Sequence, residues 1–462
     1  MAKAPKTKTA VSALPPEQRR PMGKALRDVV PRSSHGEWKP AADRADPVEL
    51  TLAANVGRIQ SLVPIRHGRM MASPFAFYRG SAGLMAADLA TTPSTGLIVQ
   101  ACGDAHLANF GGFATPERNL VFDINDFDET LPAPWEWDVK RLTASVVIAG
   151  QHNGISATAA SKAARATVQS YREHMNDYAS MQAMDVWYDK IDMPRVMKMM
   201  GDDAKLTASL TARIDKERKR AADDHDFDML VDTSSGLPRI KDNPPLIFHP
   251  GPDLLKGLNS NFSNFIAQYR KSLPHHVRVL FDRYTLYDVA IKVVGVGSVG
   301  TQCMIGLFMA SDDDPLFLQV KEARASVLEP FAGKSQYPHH GQRVVEGQRL
   351  VHATSDIMLG WGTSETGKQV YVRQMRDLKI KALIETWDEN LLTRFSRICA
   401  WALARSHARS GDPAQIAGYM GSGDTFDDAI CEFSNEYADQ NLQDYRKFLA
   451  ASRDGRVDVT VE

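Results

Sequence analysis

Gly103-Asp104-Ala105-His106-Leu107-Ala108-Asn109 and, shortly after it, Phe122-Asp123-Ile124-Asn125-Asp126-Phe127-Asp128-Glu129 are the two stretches on which the reading of this chain turns. Each adjoins a short apolar run: Leu97 to Ala101, preceded by Gly96, reads as a buried strand, and Asn119 to Ile124 reads as a second strand leading into the acids. A carboxylate at a strand end, an amide five residues on and further carboxylates at the end of the next strand predict an oxygen-rich cluster suited to magnesium and a phosphoryl group. Mg2+ takes hard oxygen ligands and keeps several waters, so two or three side chains from adjacent loops suffice. On ordinary loops the same residues would be Asx turns and helix caps. The convergence of so many acids after two apolar strands weighs against that.

Around this centre the chain reads as an ordinary globular protein of 462 residues, 43 % hydrophobic and 24 % charged, long enough for two or three lobes. The formal charge of −1 gives no global attraction to nucleic acid or an anionic membrane, so neither is expected as a partner. The four cysteines, Cys102, Cys303, Cys399 and Cys431, are far apart and form no zinc or redox spacing. No apolar run is long enough for a membrane span and the first residues lack a secretory signal's apolar stretch, which predicts a cytoplasmic location. Residues 1 to 21 are expected to be a disordered basic tail. Helical periodicity over Pro47 to Leu62, Phe75 to Leu89 and 138 to 215, with a charged stretch at 216 to 227, predicts a largely helical unit over 22 to 280.

From Thr285 the period changes to two. TLYDVAIKVV (285–294), TQCMIGLFMA (301–310) and LFLQVKEA (316–323) read as strands, separated by a glycine loop and by the turn Asp312-Asp313-Asp314-Pro315. The loop is Gly295-Val296-Gly297-Ser298-Val299-Gly300. Its GxGxxG spacing also occurs in Rossmann domains, but there a helix follows the glycines, whereas here a strand does. Strand, glycine loop, strand is the arrangement that covers ATP phosphates in kinases. Lys321, ending the third strand, resembles the kinase phosphate-binding lysine, and Glu346 in GQRVVEGQRL (341–350) is its candidate partner. QVYVRQMRD (369–377) resembles the strand that leads into a kinase hinge, which makes Gln374 and Met375 candidate adenine contacts. Arg79, in PFAFYRG (74–80), could meet a phosphate or a substrate carboxylate through its planar paired donors.

The GDxxxxN pattern resembles the catalytic loop of aminoglycoside-phosphotransferase-like kinases. The resemblance implies that Asp104 orients and helps deprotonate an acceptor hydroxyl and that Asn109 holds a metal. Asp126 would bridge metal and phosphates, with Asp128 or Asp123 as the alternative. PAPWEWDVKRL (132–142) is similar to the helix start that braces that loop, which assigns the bracing role to Asp138. Cys102 departs from the pattern, since a histidine usually precedes Gly-Asp, and His106 is the residue that could take over part of its role. From about Met22, through SSHGEW, RMMASPFAFYRG, GDAHLANFGGF and VKEA to YADQN, the chain is similar to the bacterial family catalogued as domain of unknown function 2252.

In kinases the glycine loop and lysine precede the catalytic loop, and here they follow it. The expected fold is therefore α+β, a kinase-like two-lobe architecture with circularly permuted lobe order. A catalytic, mostly helical lobe would span 22–280, a nucleotide-clamping antiparallel lobe 281–380, and helices packing back on the first lobe 381–462. The expected function is ATP- and Mg2+-dependent phosphoryl transfer to a hydroxyl of a small molecule. AMP transfer on the same fold and a non-catalytic nucleotide-binding scaffold are the alternatives. A metallophosphoesterase, suggested by the GDxH element, lacks its other sequence blocks.

Overall fold

The alternation of apolar and polar residues after Thr285 becomes an antiparallel sheet, and the Ala-rich helical stretches become a separate packed layer. A computed structural model describes residues 14–201, 211–212, 214–216, 225–234, 236–249, 262–293, 295–364, 366–375 and 380–461. The fold is α+β. Its strands are β1 (Ile98–Ala101), β2 (Phe110–Ala114), β3 (Leu120–Ile124), β4 (Leu131–Pro134), β5 (Ile191–Asp192), β6 (Val231–Asp232), β7 (Arg239–Ile240), β8 (Ile247–Phe248), β9 (Thr285–Lys292), β10 (Cys303–Met309), β11 (Pro315–Glu322), β12 (Gly360–Thr363), β13 (Gln369–Gln374) and β14 (Ile380–Lys381). They form a six-stranded sheet in the order β12-β13-β11-β10-β9-β8, a four-stranded sheet β14-β2-β3-β5, and the pairs β1-β4 and β6-β7. All pairings are antiparallel.

The helices that matter to the site are α1 (Pro74–Gly80), α2 (Trp135–His152), α3 (Ala157–Tyr178), α4 (His340–Val351), α5 (Glu389–Ser410) and α6 (Thr425–Arg453). Helices α2, α3, α5 and α6 share one large core. Within it the Trp135 ring stacks on Tyr171 at 5.7 Å, and small residues such as Ala163 and Ala164 are fully buried. This core holds the segment after β1, through Ala105, Leu107 and Phe110, against α2. A second core lies on the six-stranded sheet, where Phe265, Tyr269, Leu273 and Phe281 cover Met304, Phe308, Leu318 and Val372.

Three expectations change. A helix begins at Pro16, inside the segment expected to be a disordered tail over 1–21. Pro16 at its first position suits a helix start, and Arg19 and Arg20 anchor it to Asp412 (2.7 Å) and Asn176 (2.8 Å); residues 1–13 lie outside the described residues. The boundary at 280 also moves. β8 joins the six-stranded sheet and residues 262–281 cover its face, so this part of the expected helical unit packs with the strands. Finally, Ser81 breaks the helix expected over 75–89 into α1 and Ala82–Leu89. Most of the charged stretch 216–227 lies outside the described residues. Among the described residues no helix is long and apolar enough to cross a membrane.

Candidate functional site

Gly103 shows why the Gly-Asp pair is local necessity. Its φ is +79°, and a Cβ there would meet the Glu129 carbonyl oxygen at 2.5 Å, so only glycine lets the loop after β1 pass this close to the acidic loop after β3. The Gly103 and Cys102 amides donate to Asp138 Oδ1 (3.0 Å) and Oδ2 (2.6 Å) at the start of α2. Asp138 thus stands where the bracing role was expected. One turn on, Arg141 Nε donates to Asp104 Oδ1 at 2.6 Å, and its Nη2 also bridges to that oxygen. Burial raises Asp104 above the ordinary carboxylate range, and the guanidinium of Arg141 only partly offsets that.

His106 Nε2 lies 3.7 Å from Asp104 Oδ2. Burial, followed by Arg79 and Arg141, keeps this imidazole neutral, with Nδ1 buried and unbonded. Asn109 Nδ2 donates to the Asp104 carbonyl at 2.7 Å, which leaves Oδ1 as its acceptor end for a cation.

The two sequence segments meet at Lys321. From β11, its Nζ donates to Asp128 Oδ2 at 2.8 Å and to Asp126 Oδ1 at 3.2 Å, across 193 and 195 residues of chain. Tyr371, opposite Lys321 in the β11-β13 register, donates its hydroxyl to Asp128 Oδ1 at 2.6 Å. Burial alone would lower the lysine, yet Asp126 and Asp128 hold it well above its ordinary value. Asp128 would likewise rise on burial, but Lys321 and Tyr371 hold it down. The pair is therefore an ammonium facing carboxylates. Ser298 Oγ, on the glycine loop, reaches Asp128 Oδ2 at 3.4 Å. A Cβ on Gly295 would meet nothing within 4 Å, and one on Gly297 only the Arg79 carbonyl at 3.8 Å. Gly300 has φ +83° and its carbonyl accepts from Ile59 N at 2.7 Å, which ties the loop to the segment before α1.

Asp104, His106, Asn109, Asp126, Asp128, Gly295, Gly297, Ser298, Lys321, Gln374, Met375 and Arg79 all line one cleft of about 990 Å³. That volume accommodates a nucleotide with a small second molecule.

Four expected residues stand differently. Asp123 faces away from the cleft into a buried ion pair with Arg405, because β3 alternation turns it opposite to its neighbours, and it is not available to a metal there. Glu346 pairs with Arg349 on its own helix at 3.2 Å, and the partners of Lys321 are Asp126 and Asp128 instead. The amides of Gln374 and Met375 donate to Asp356 Oδ2 (2.6 Å) and to the Phe317 carbonyl (3.0 Å), so neither N–H is open to adenine. Residues 376–379, which follow them, lie outside the described residues.

Other site residues gave no signal in the motifs. Arg343 of α4 donates to the carbonyls of Thr130 (2.6 Å), Asp128 (2.7 Å) and Arg324 (2.8 Å), which fixes the acidic loop. Arg141 could have been found from its spacing, since three residues after Asp138 it lies on the same helical face. Among the described residues no three His, Cys, Asp or Glu side chains converge to hold a metal by themselves. Asp126 Oδ1 and both Asp128 oxygens accept from Lys321, Tyr371 and Ser298 instead, and Asn109 lines the same cleft.

A family model described as uncharacterized protein conserved in bacteria (DUF2252) matches residues 58–451. No curated protein and no solved structure matches the chain.

Proposed function

The chain belongs to that bacterial family, and from this premise we propose that it is an ATP- and Mg2+-dependent phosphotransferase acting on a hydroxyl of a small molecule, built as a kinase-like fold with its lobes in permuted order. The observation that carries this reading is the pair of bonds from Lys321 Nζ to Asp126 and Asp128, which joins the glycine-loop sheet to the loop that follows β3. The lysine lies on the third strand counted from the start of the glycine hairpin, and a helix, α4, follows it, which agrees with the kinase order of parts.

Bound MgATP would supply the transferable phosphoryl group and neutralise charge on it. The rest falls to the chain. Asp104 accepts the proton of the attacking hydroxyl, and its raised pKa brings its basicity closer to neutral pH than an exposed aspartate's. Arg141 fixes the orientation of that carboxylate, and Asp138 fixes the loop that carries it. Asn109 Oδ1, Asp126 and Asp128 would hold the cation, while Lys321 shares its protons between these carboxylates and phosphate oxygens. The unobstructed space over Gly295 and Gly297 lets backbone amides approach phosphate.

The test is calorimetric titration of MgATP into the wild type, Asp126→Ala and Lys321→Ala. Micromolar-range binding weakened by both substitutions is expected; binding indifferent to both would overturn the composite site. In an acceptor screen, release of ADP identifies phosphoryl transfer, and release of pyrophosphate would identify AMP transfer.

A further inference from the structure

Three of the arginines that line the cleft, Arg58, Arg66 and Arg79, have no carboxylate in bonding contact among the described residues. Arg58 Nε and Nη1 donate to the carbonyls of Ala54 (3.0 Å) and Val299 (2.7 Å). Arg66, 1 % exposed, gives Nη1 to Asn55 Oδ1 (2.9 Å) and Nη2 to the Gly80 carbonyl (2.7 Å), and its Nε is buried with no acceptor. Arg79 forms no hydrogen bond or ion pair among the described residues, and its Nε is buried as well. Several enclosed arginines elsewhere are matched by acids, as Arg44 is by Asp88 and Asp444, Arg172 by Asp427 and Arg405 by Asp123, while Arg343, which fixes the acidic loop through carbonyls, is not. Burial and the neighbouring Arg58 and Arg324 pull Arg66 down to about 9. Carboxylates act on Arg58 (Glu129, Glu322, Asp128) and on Arg79 (Asp104, Glu385) only from beyond bonding distance, and among the described residues none acts on Arg66. Cations removed from water without a bonded acid cost stability, and an anion entering from solvent would offset that cost.

The position of Arg79 says which anion. Arg141 donates Nη2 to the Tyr78 carbonyl at 3.1 Å while its Nε holds Asp104, so the residue after Tyr78 flanks the proposed base. The Arg79 carbonyl also lies beneath Gly297. Lys321, beside Asp126 and Asp128, is the cation that the reading above gives to the nucleotide phosphates. A group held by Arg79 therefore belongs to the molecule whose hydroxyl meets Asp104.

We propose that Arg79, backed by Arg66 and Arg58, binds an oxyanion of the acceptor, so that the substrate is a hydroxyl compound already carrying a phosphate or carboxylate. The inference rests on the phosphotransferase reading for the word acceptor, and on the arginines alone for the oxyanion site. Its shared chemistry with the phosphates of ATP makes the nucleotide the rival source.

The experiment titrates inorganic phosphate into the full-length wild type and Arg79→Gln, with and without saturating MgATP, and titrates MgATP into both proteins. Because the Arg79 side chain has no partner among the described residues, Arg79→Gln is expected to fold with an unchanged unfolding midpoint. Phosphate affinity should fall about tenfold or more, the loss of one hydrogen bond to a charged group. Saturating MgATP should leave phosphate binding in place, and the MgATP affinity of Arg79→Gln should stay within about twofold of wild type. Displacement of phosphate by MgATP, or equal weakening of MgATP, would assign the arginines to the nucleotide and overturn the inference. So would absence of phosphate binding in the wild type. Arg79-dependent phosphate binding by a protein that binds no MgATP would keep the oxyanion site and sink the phosphotransferase reading.

Discussion

Asp138 accepts from two backbone amides and from His407 Nε2 at 3.3 Å while 1 % exposed. A carboxylate can only accept, so His407 Nε2 carries the proton and Nδ1 receives the Tyr171 hydroxyl at 2.7 Å. Asp138→Asn would turn one acceptor into an NH2 group facing donors. A loss of roughly 1–3 kcal/mol in unfolding free energy is expected, measured by denaturant titration; an unchanged midpoint would mean that the brace contributes nothing. His35 offers a test of a different kind. Its Nε2 meets the Tyr419 hydroxyl at 2.8 Å, and burial, followed by Lys140, pulls its pKa down to about 3. The folded protein thus keeps His35 neutral where the unfolded chain takes a proton, and stability present above about pH 6.5 is lost as pH falls toward 3. In His35→Gln the fall in unfolding free energy between about pH 6.5 and 5 should be shallower by up to ~1.4 kcal/mol per pH unit. Equal slopes would show that His35 titrates alike in both states.

At the scale of elements the glycine loop separates fold from function. A Cβ on Gly297 meets only one atom, at 3.8 Å, whereas Gly300 has φ +83° and a Cβ there would meet Arg58 Cβ at 3.2 Å. Gly297→Ala should therefore leave thermal stability within about 0.5 kcal/mol of wild type, and Gly300→Ala should cost about 1 kcal/mol or more. If Gly297→Ala weakens MgATP binding at unchanged stability, the open space over the loop serves a ligand; if binding is untouched, the glycine there is incidental. The strands flanking this loop were legible because their alternation is long and clean: β9 and β10 fall within the segments read from Thr285 onward, and β11 begins one residue before its segment, at Pro315. β2 was not. Phe110-Gly111-Gly112-Phe113 lacks β-branched residues, and Gly111 is there because a Cβ would strike Asn125 Nδ2 and the Ile380 carbonyl at 2.6 and 2.7 Å. The segments lining the cleft were legible from their motifs, but Arg343 and Tyr371 were not. What they do depends on a strand register and a helix placement that one-dimensional spacing does not carry.

For the whole molecule, the consequential contact is the one between segments that the sequence holds far apart. Lys321 is 2 % exposed on the six-stranded sheet, and Asp128 belongs to the loop after β3, which Arg343 of α4 holds by two carbonyls. Removing either partner leaves the other charge unpaired, so Lys321→Met and Asp128→Asn should each destabilise, the lysine change by about 1–3 kcal/mol because Asp126 and Asp128 stay 34 % and 29 % exposed. Asp128→Asn should cost less, since Asp126 remains at 3.2 Å from the ammonium. If the contact joins the two parts of the chain, the double variant should be more stable than the sum of the single changes predicts, by about 1–3 kcal/mol, because each change removes the group that the other leaves stranded. Strict additivity in unfolding free energies would separate the glycine-loop sheet from the acidic loop and remove the composite cleft. A coupling of that size would show that a lysine and a carboxylate 193 residues apart act as one unit, which a site assembled from permuted segments requires.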